Sequence, residues 1–421
     1  MPPDRLTPNQ VRGFWAAWGG WALDGMDSFI YALVLAPAMR DLLPASGIAA
    51  TAGNLGYYGG ILFAVFLIGW GCAFLWGPVA DRFGRVRTLT LTILCYSLFT
   101  FLGCIAGSVW QLGLFRFLAG IGIGGEWTLG GIIVAEEWPE RRRAQGAAWM
   151  HTGYYFGIFL AAVINYLVGA RYGWRAMFAI GGMPALLIAF IRFGVREPER
   201  WKSRDKWTAR RAFFTLFGSE YRRRTLLNAL FLLIAMIGLW AGSVYVPGAV
   251  TEIAARDGYS AAEGARLASW ATMLLSCGTI LGCLMVPRLA DRLGRRAALG
   301  FFFAVMAASV AIGFGYLFYL AHGAIAAFIA SLFFVGIGGA SFCVFTLWLP
   351  EQYRTECRAS AFAFATSSGR FVAAGVTFLV GSGVAHFGTI GIPVALTSLA
   401  FLPGLVLLPW GEETKGKPLP A

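Results

Sequence analysis

The sequence predicts an all-α membrane protein of twelve transmembrane helices, arranged as two related six-helix halves. Composition gives the first indication, since 58% of the 421 residues are hydrophobic and only 13% are charged, against about a quarter in soluble domains. The apolar residues also occur in long uninterrupted blocks. About 20 residues at ~1.5 Å rise cross a ~30 Å hydrocarbon core, so each block predicts a bilayer span. Residues 1–10 lack the cationic start of a signal peptide, so we expect the first span to remain in the mature protein.

The blocks divide the chain into an N-terminal bundle (1–194), a charged linker (195–224) and a C-terminal bundle (225–421). The predicted spans are 13–39, 54–79, 88–108, 110–135, 144–169, 174–194, 225–250, 265–287, 297–321, 323–349, 359–385 and 390–410. Two pairs of neighbouring blocks have very short connections and could each be one long helix. An even number of spans places both termini on the same side.

The basic residues predict the orientation, because short cytoplasmic loops are enriched in Lys and Arg. With the N-terminus inside, 27 of the 34 Lys and Arg residues lie in inner segments and five in outer loops. The net charge of +13 is therefore a topology signal, and no nucleic-acid partner is expected.

An internal repeat supports the two-half architecture. The run Ala80 to Arg85 recurs as Ala290 to Arg295 with five of six residues identical, and Pro139-Glu140 recurs as Pro350-Glu351 at nearly the same offset. Duplicated bundles are typical of transporters that move two halves around a central binding site.

Catalytic, metal and cofactor sites are not predicted. The seven cysteines have no Cys-x-x-Cys spacing and no histidine partners, which favours free thiols used in packing. No nucleophile–base constellation is visible, so we expect a protein that is not an enzyme.

These motifs resemble the major facilitator superfamily over essentially the whole chain. The run Gly77 to Arg87 matches its signature loop between spans two and three, and the copy at 290–296 stands where that family repeats it. Asp24-Gly25-Met26-Asp27 in span one is similar to a motif of the aromatic-acid/proton and the sialate- or lactate/proton symporters, which usually have an aromatic residue where Met26 stands. The resemblance implies a secondary transporter without cofactors.

Ionisable residues inside predicted spans are functional candidates, because burying them in a bilayer is costly. Asp24, Asp27, Arg116 and Arg370 are the strongest. Counted by helical rise from the inner side, Asp24 and Arg370 fall about 16 Å deep, and Asp27 and Arg116 about 21 Å deep. The two aspartates are spaced i, i+3 and can face one cavity.

We expect Asp27, with or without Asp24, to carry the coupling proton while Arg116 adjusts its proton affinity; related sugar/proton symporters resemble this arrangement. A permanent ion pair that only fixes helix packing is the alternative. Arg370 is expected to bind a substrate carboxylate through its planar fork. The alternatives are that it pairs with Asp24 or caps backbone carbonyls of a broken helix. Four aromatic residues could line the same cavity: Tyr31, Tyr154, Trp240 and Trp348.

The signature loops are interpreted as gates at the inner face. Residues expected to take part in gating ion pairs or helix-terminus contacts are Asp81, Arg82, Arg85, Asp291, Arg292, Arg295, Glu140 and Glu351. Glu126 is a candidate for the inner gate, with simple packing as the alternative.

The sequence thus predicts proton-coupled uptake of a small organic anion, such as a monocarboxylate, an aromatic acid or an acidic sugar. The alternative is a proton-coupled porter for sugars or other neutral solutes. We expect a functional monomer embedded in the lipid bilayer of a bacterial inner membrane.

Overall fold

The computed structural model describes residues 6–182 and 209–420 and consists of helices joined by short connections. The side chains of Ala52, Pro78, Asp81, Arg82, Ala170, Ala209, residues 239–243 and Ala385 lie outside this description. Ten helical segments in the described ranges are long and apolar enough to cross a membrane, and they match ten of the predicted spans.

Seven helices lie in residues 6–182 of the first half. They are α1 (Pro8–Ala45), α2 (Ala52–Gly71), α3 (Trp76–Phe83), α4 (Arg85–Gly103), α5 (Val109–Glu137), α6 (Arg143–Ile164) and α7 (Ala170–Gly181). The predicted second span is divided here, because a 3-10 turn at Cys72–Leu75 separates α2 from α3. The predicted sixth span begins in α7, and its residues from 183 onward fall outside the described ranges.

The second half follows a short helix, α8 (Ala209–Thr215), in the predicted linker. Its helices are α9 (Arg222–Val244), α10 (Val246–Arg256), α11 (Ala261–Leu293), α12 (Arg295–Gly315), α13 (Ala324–Gly339), α14 (Ser341–Trp348), α15 (Thr355–Phe387), α16 (Gly391–Leu396) and α17 (Phe401–Leu407). The predicted seventh span is split between α9 and α10. Both short connections suspected in the sequence separate distinct helices.

The repeated loop has the same backbone geometry in both halves. Gly84 ends α3 with φ 112° and ψ 156°, and Gly294 ends α11 with φ 93° and ψ 166°. Each glycine donates its N–H to the alanine carbonyl four residues earlier, at 3.1 Å. Glycine adopts positive φ without steric cost, so the duplicated sequence produces two matching helix-to-helix turns. We call the end of the bundle with these turns the basic end.

Helix packing repeats as well. In the first half, a Cβ at Gly69 of α2 would lie 2.1 Å from the Phe117 carbonyl oxygen of α5, and one at Gly120 of α5 would lie 2.4 Å from the Phe66 carbonyl oxygen of α2. Such contacts require glycine because they bring two helix backbones together.

The second half has the corresponding pair of contacts between α11 and α13. A Cβ at Gly278 would lie 2.1 Å from the Phe333 carbonyl oxygen, and one at Gly336 would lie 2.1 Å from the Leu275 carbonyl oxygen. The two halves therefore share reciprocal glycine packing, and they meet along α2 with α15 and α6 with α11.

Candidate functional site

Asp27 of α1 and Arg116 of α5 form a buried ion pair. Arg116 Nη2 donates to Asp27 Oδ1 at 3.1 Å and to Thr100 Oγ1 at 2.8 Å. The rings of Phe66 and Phe178 lie 5.4 and 5.3 Å from the guanidinium carbon. The structure therefore joins the two residues that the sequence placed at one depth, inside an aromatic wall that excludes water.

Tyr31 belongs to this wall and not to the surroundings of Arg370. Its ring lies 5.9 Å from the Arg116 guanidinium carbon and stacks on Phe63, and its hydroxyl donates to the Gly59 carbonyl at 3.2 Å. Tyr31 therefore shapes the Asp27–Arg116 pair.

Arg370 projects from α15 of the second half into aromatic residues of the first. Its guanidinium carbon lies 4.1 Å from the Trp70 ring centre and 5.8 Å from that of Trp127. Nη1 donates to the Thr366 carbonyl of its own helix. Nε has no hydrogen-bond partner among the described residues, although Arg370 is only 2% exposed. A buried guanidinium with unused donors can bind a carboxylate through two parallel hydrogen bonds.

Asp24 and Glu126 are also completely buried. Ser28 donates to Asp24 Oδ1 at 3.3 Å, whereas Asp24 Oδ2 and both Glu126 carboxylate oxygens have no hydrogen-bond partner within the described residues. Glu126 lies against α1, where a Cβ at Gly20 would be 1.8 Å from Glu126 Oε1. Glu126 thus faces the same part of α1 as Asp24.

Tyr154 and Trp21 extend this central region. Their rings are 4.7 Å apart, and the Tyr154 hydroxyl and Trp21 Nε1 lack hydrogen-bond partners in the described part of the chain. Both can therefore contact a ligand at the centre. The side chain of Trp240, a further predicted binding residue, lies outside the description.

Trp348 lies far from this centre, at the basic end. Its Nε1 donates to the Glu412 carbonyl at 2.8 Å, and its ring stacks on Phe231. Trp348 therefore packs beneath the C-terminal segment, and it does not belong to the central binding region as the sequence had predicted.

A hydrogen-bonded bridge joins the halves beside the central region. Thr346 Oγ1 of α14 accepts from Trp127 Nε1 at 2.9 Å and lies 3.1 Å from His151 Nδ1. Phe342 and Phe362 of the second half also pack on Trp127. Sequence reasoning gave neither Trp127 nor Thr346 a role, because the sequence does not show which residues of the two halves meet.

Ion pairs close the basic end. Glu136 Oε1 lies 3.9 Å from Arg85 Nη2 in the first half and 3.5 Å from Arg358 Nη1 in the second. Within the second half, Arg295 donates to Glu351 twice, from Nε and from Nη2, each at 3.0 Å. Arg85 and Arg295 therefore lie beside carboxylates, and Glu136 contacts arginines of both halves.

The remaining predicted gating residues with described side chains are exposed. Asp291 is exposed and lies 3.4 Å from Arg295 Nη1, and Glu140 is exposed and lies 3.4 Å from Arg143 Nη2. Arg292 is exposed, and its carbonyl accepts from Lys415 Nζ at 3.0 Å. The side chains of Asp81 and Arg82 lie outside the description.

Residues 411–420 cross the basic end as a non-helical segment with a turn at Lys415 and Gly416, and we call this segment the tail. Glu413 Oε1 accepts from the Arg295 backbone N–H at 3.0 Å, at the start of α12, and Thr414 Oγ1 donates to Glu351 at 2.6 Å. At its far end, the Leu419 N–H donates to Glu140 of the first half at 3.0 Å. The tail therefore bridges the two halves on the same face as Glu136.

At the opposite end of the bundle the halves also touch, since the rings of Tyr57 in α2 and Phe378 in α15 lie 6.3 Å apart. A cavity of about 500 Å³ lies between the beginning of α2 and the end of α15. Its lining includes Tyr57, Gly60, Phe378 and Ser382. The halves therefore contact each other at both ends, through ion pairs at the basic end and through aromatic and polar contacts at the other.

Comparison with known families assigns this architecture. The Major Facilitator Superfamily profile matches residues 17–377, and the chain belongs to that superfamily. The predicted all-α, twelve-helix fold of two halves is confirmed, as is the prediction that the protein is a multi-pass membrane transporter and not an enzyme.

Among curated relatives, a probable 4-methylmuconolactone transporter of Cupriavidus pinatubonensis is 29% identical, covering 97% of this chain and 92% of the relative. The sialic acid transporter NanX of Escherichia coli is 27% identical, covering 70% and 68%. The cis,cis-muconate transport protein of Acinetobacter baylyi is 26% identical, covering 83% and 82%.

Solved structures share the fold. The xylose transporter XylE from E. coli, in a partially occluded inward-open conformation, matches with a TM-score of 0.75 at 21% identity, covering 98% of this chain and all of that one. The human organic anion transporter MFSD10 matches with a TM-score of 0.73 at 16% identity, covering 96% and 100%.

Proposed function

We propose that this transporter takes up a small organic anion together with protons. The observation that carries the proposal is Arg370, a buried guanidinium held against Trp70 and Trp127 at the interface of the halves. A guanidinium remains charged at any depth in the membrane and matches a carboxylate in geometry. Relatives named for muconolactone, muconate and sialic acid support an acidic substrate.

The aromatic surroundings favour a substrate with a planar or apolar body. Trp70, Trp127, Trp21 and Tyr154 offer ring faces beside the guanidinium. A carboxylate on Arg370 and a ring or unsaturated chain against these faces satisfies both charge and apolar contact.

Asp27 would carry a coupling proton. While it is paired with Arg116 at 3.1 Å, the carboxylate is stabilised in its ionised form. Movement of α1 against α5 during transport would weaken that pair, and the dehydrated carboxylate would then bind a proton. Asp27→Asn should abolish proton-driven accumulation and leave exchange of anion across the membrane.

The proposed topology is inferred from the distribution of basic residues. We place the basic end and both termini in the cytoplasm of a bacterial cell, and we expect each monomer to function alone. The structure would then correspond to a carrier closed toward the cytoplasm by Glu136, Arg358 and the tail.

Uptake by purified protein in proteoliposomes tests the proposal. The panel is radiolabelled gentisate, nicotinate, sialic acid and xylose, each with and without an inward proton gradient. We expect one or more acids to accumulate only with the gradient and xylose to be excluded, and Arg370→Ala to lose acid uptake. Accumulation of xylose with retained activity in Arg370→Ala would support the neutral-solute alternative instead.

A further inference from the structure

We propose that Asp24 and Glu126 form a carboxyl pair that shares one proton in the empty carrier and binds a second proton when a substrate carboxylate occupies Arg370. This inference rests on the proposed function and assigns a role to Glu126, which the sequence suggested only as part of an inner gate.

The two carboxyl groups lie on the same face of α1. Glu126 of α5 packs against Gly20 of α1, where a Cβ would lie 1.8 Å from Oε1. Asp24 follows Gly20 by one helical turn and therefore lies on the same face of α1. Trp127, the neighbour of Glu126 in α5, stacks on Trp21 of the same stretch of α1 with ring centres 5.8 Å apart.

Neither carboxyl group has the hydrogen bonds that a buried carboxylate requires. Asp24 accepts one bond from Ser28, and its Oδ2 and both oxygens of Glu126 accept none from the described residues. Fully buried, unsolvated carboxylates are several kcal/mol unfavourable. A proton on one of them removes a charge.

The charges of the buried centre give the proton count. Asp27 and Arg116 neutralise each other in their ion pair. Arg370 then remains as the single cation for both Asp24 and Glu126 among the described residues of the centre. Two ionised carboxylates would leave one uncompensated negative charge, so the empty carrier holds one proton on the pair.

The groups facing the pair do not alter that count. Tyr154 of α6 and Asp27 and Ser28 of α1 act on Asp24, and Tyr96 of α4 acts on Glu126. The Tyr96 and Tyr154 hydroxyl groups are buried without hydrogen-bond partners in the described ranges and can bond to the pair in either protonation state.

Substrate binding changes the balance. A substrate carboxylate bound to Arg370 neutralises the guanidinium charge that had compensated the ionised member of the pair. That member then binds a proton from water on the side from which the substrate enters. The anion and this proton therefore bind together, and each raises the affinity for the other.

Difference infrared spectroscopy of the empty protein in lipid tests the proposal without a substrate. The band measured is the C=O stretch of protonated carboxyl groups at pH 7.5, identified by its shift in D₂O. We expect the band in the wild type and its loss in Asp24→Asn and in Glu126→Gln, because a single remaining carboxylate is ionised against Arg370. The control is Glu252→Gln, at the opposite end, which should keep the band.

Arg370→Ala should have the opposite effect on the intensity of the C=O band. Without the guanidinium both members of the pair should be protonated, and the band should grow about twofold, as it should when wild-type protein binds nicotinate. A wild type without the band, or a band that persists in both single variants, overturns the carboxyl pair. Acid uptake in proteoliposomes stands independently of that result, so failure of the pair and failure of the proposed function are separate outcomes.

Discussion

Glu136 Oε1 lies 3.5 Å from Arg358 Nη1, and both side chains are fully buried although they belong to different halves of the bundle. Arg85 approaches the same oxygen at 3.9 Å. A rocking carrier must break any contact that joins the halves at its closed end, so this acid contributes to the energy difference between the two states.

Glu136→Gln should therefore favour opening of the basic end. A hydrogen bond to a charged group is worth about 1.5–3 kcal/mol, and each ~1.4 kcal/mol changes an equilibrium tenfold. We expect the population that is open at the basic end to rise about tenfold or more. The measurement is the distance between spin labels placed on the turns at Gly84 and Gly294, which should lengthen. Glu351→Gln is the matched control, because its partner Arg295 lies in the same half; an equal shift in both variants would contradict the role of Glu136.

The tail should stay bound at neutral and mildly acidic pH. Partial burial raises the pKa of Glu413, but the backbone N–H groups of Arg295, Lys415, Arg296 and Thr414 outweigh that effect, and the net pKa is lowered. Stabilisation by a carboxylate with a depressed pKa is present above its unfolded value, about 4.3, and is lost as pH falls through the folded value.

Hydrogen exchange of residues 411–420, corrected for intrinsic rates, measures this attachment. Protection should be constant from pH 7 to pH 5 and should disappear only in stronger acid. In Glu413→Gln we expect weak protection throughout. Loss of protection between pH 7 and pH 5 in the wild type would show that another group controls the tail.

Gly157→Ala should destabilise the first half. A Cβ at Gly157 of α6 would lie 1.7 Å from the Ala22 carbonyl oxygen of α1, so the helices must separate. Overpacking of this kind costs about 1–3 kcal/mol. Thermal unfolding followed by intrinsic fluorescence should show a lower Tm, whereas Gly375→Ala, with open space around it, should match or exceed the wild type. Equal Tm values for the two variants would argue against close α1–α6 packing.

Arg370→Lys should retain the charge but lose the two parallel hydrogen bonds to the substrate. We expect KM for the transported acid to rise about tenfold or more, since a charged hydrogen bond contributes about 1.5–3 kcal/mol. The measurement is the concentration dependence of initial uptake rates. An unchanged KM would show that Arg370 acts as a point charge or does not contact the substrate.

Regular features of the sequence predicted the fold well. Span length and charge follow directly from the bilayer, and the repeated loop predicted the matching turns at Gly84 and Gly294. Helical rise was enough to place Asp27 and Arg116 at one depth, because both stand in long uninterrupted helices.

Contacts between the halves were less accessible to sequence reasoning. In the sequence, Glu136 and Arg358 are charged residues at loop edges with no pattern that connects them. Their pairing depends on how the two bundles meet. Trp348 reads as a cavity aromatic, yet it contacts Glu412 of the tail. Long-range packing decided these positions, and no local pattern encodes it.

Proton movement during anion entry tests the central claim most directly. Proteoliposomes are loaded with a pH-sensitive dye, and the membrane potential is clamped with no initial pH gradient. The acid that gave the greatest uptake in the proteoliposome panel is then added outside. Protein-free liposomes correct for passive entry of the protonated acid. The account predicts that the interior acidifies in proportion to protein-mediated anion uptake and that Asp27→Asn loses this response. Anion uptake by the wild type without acidification would contradict it.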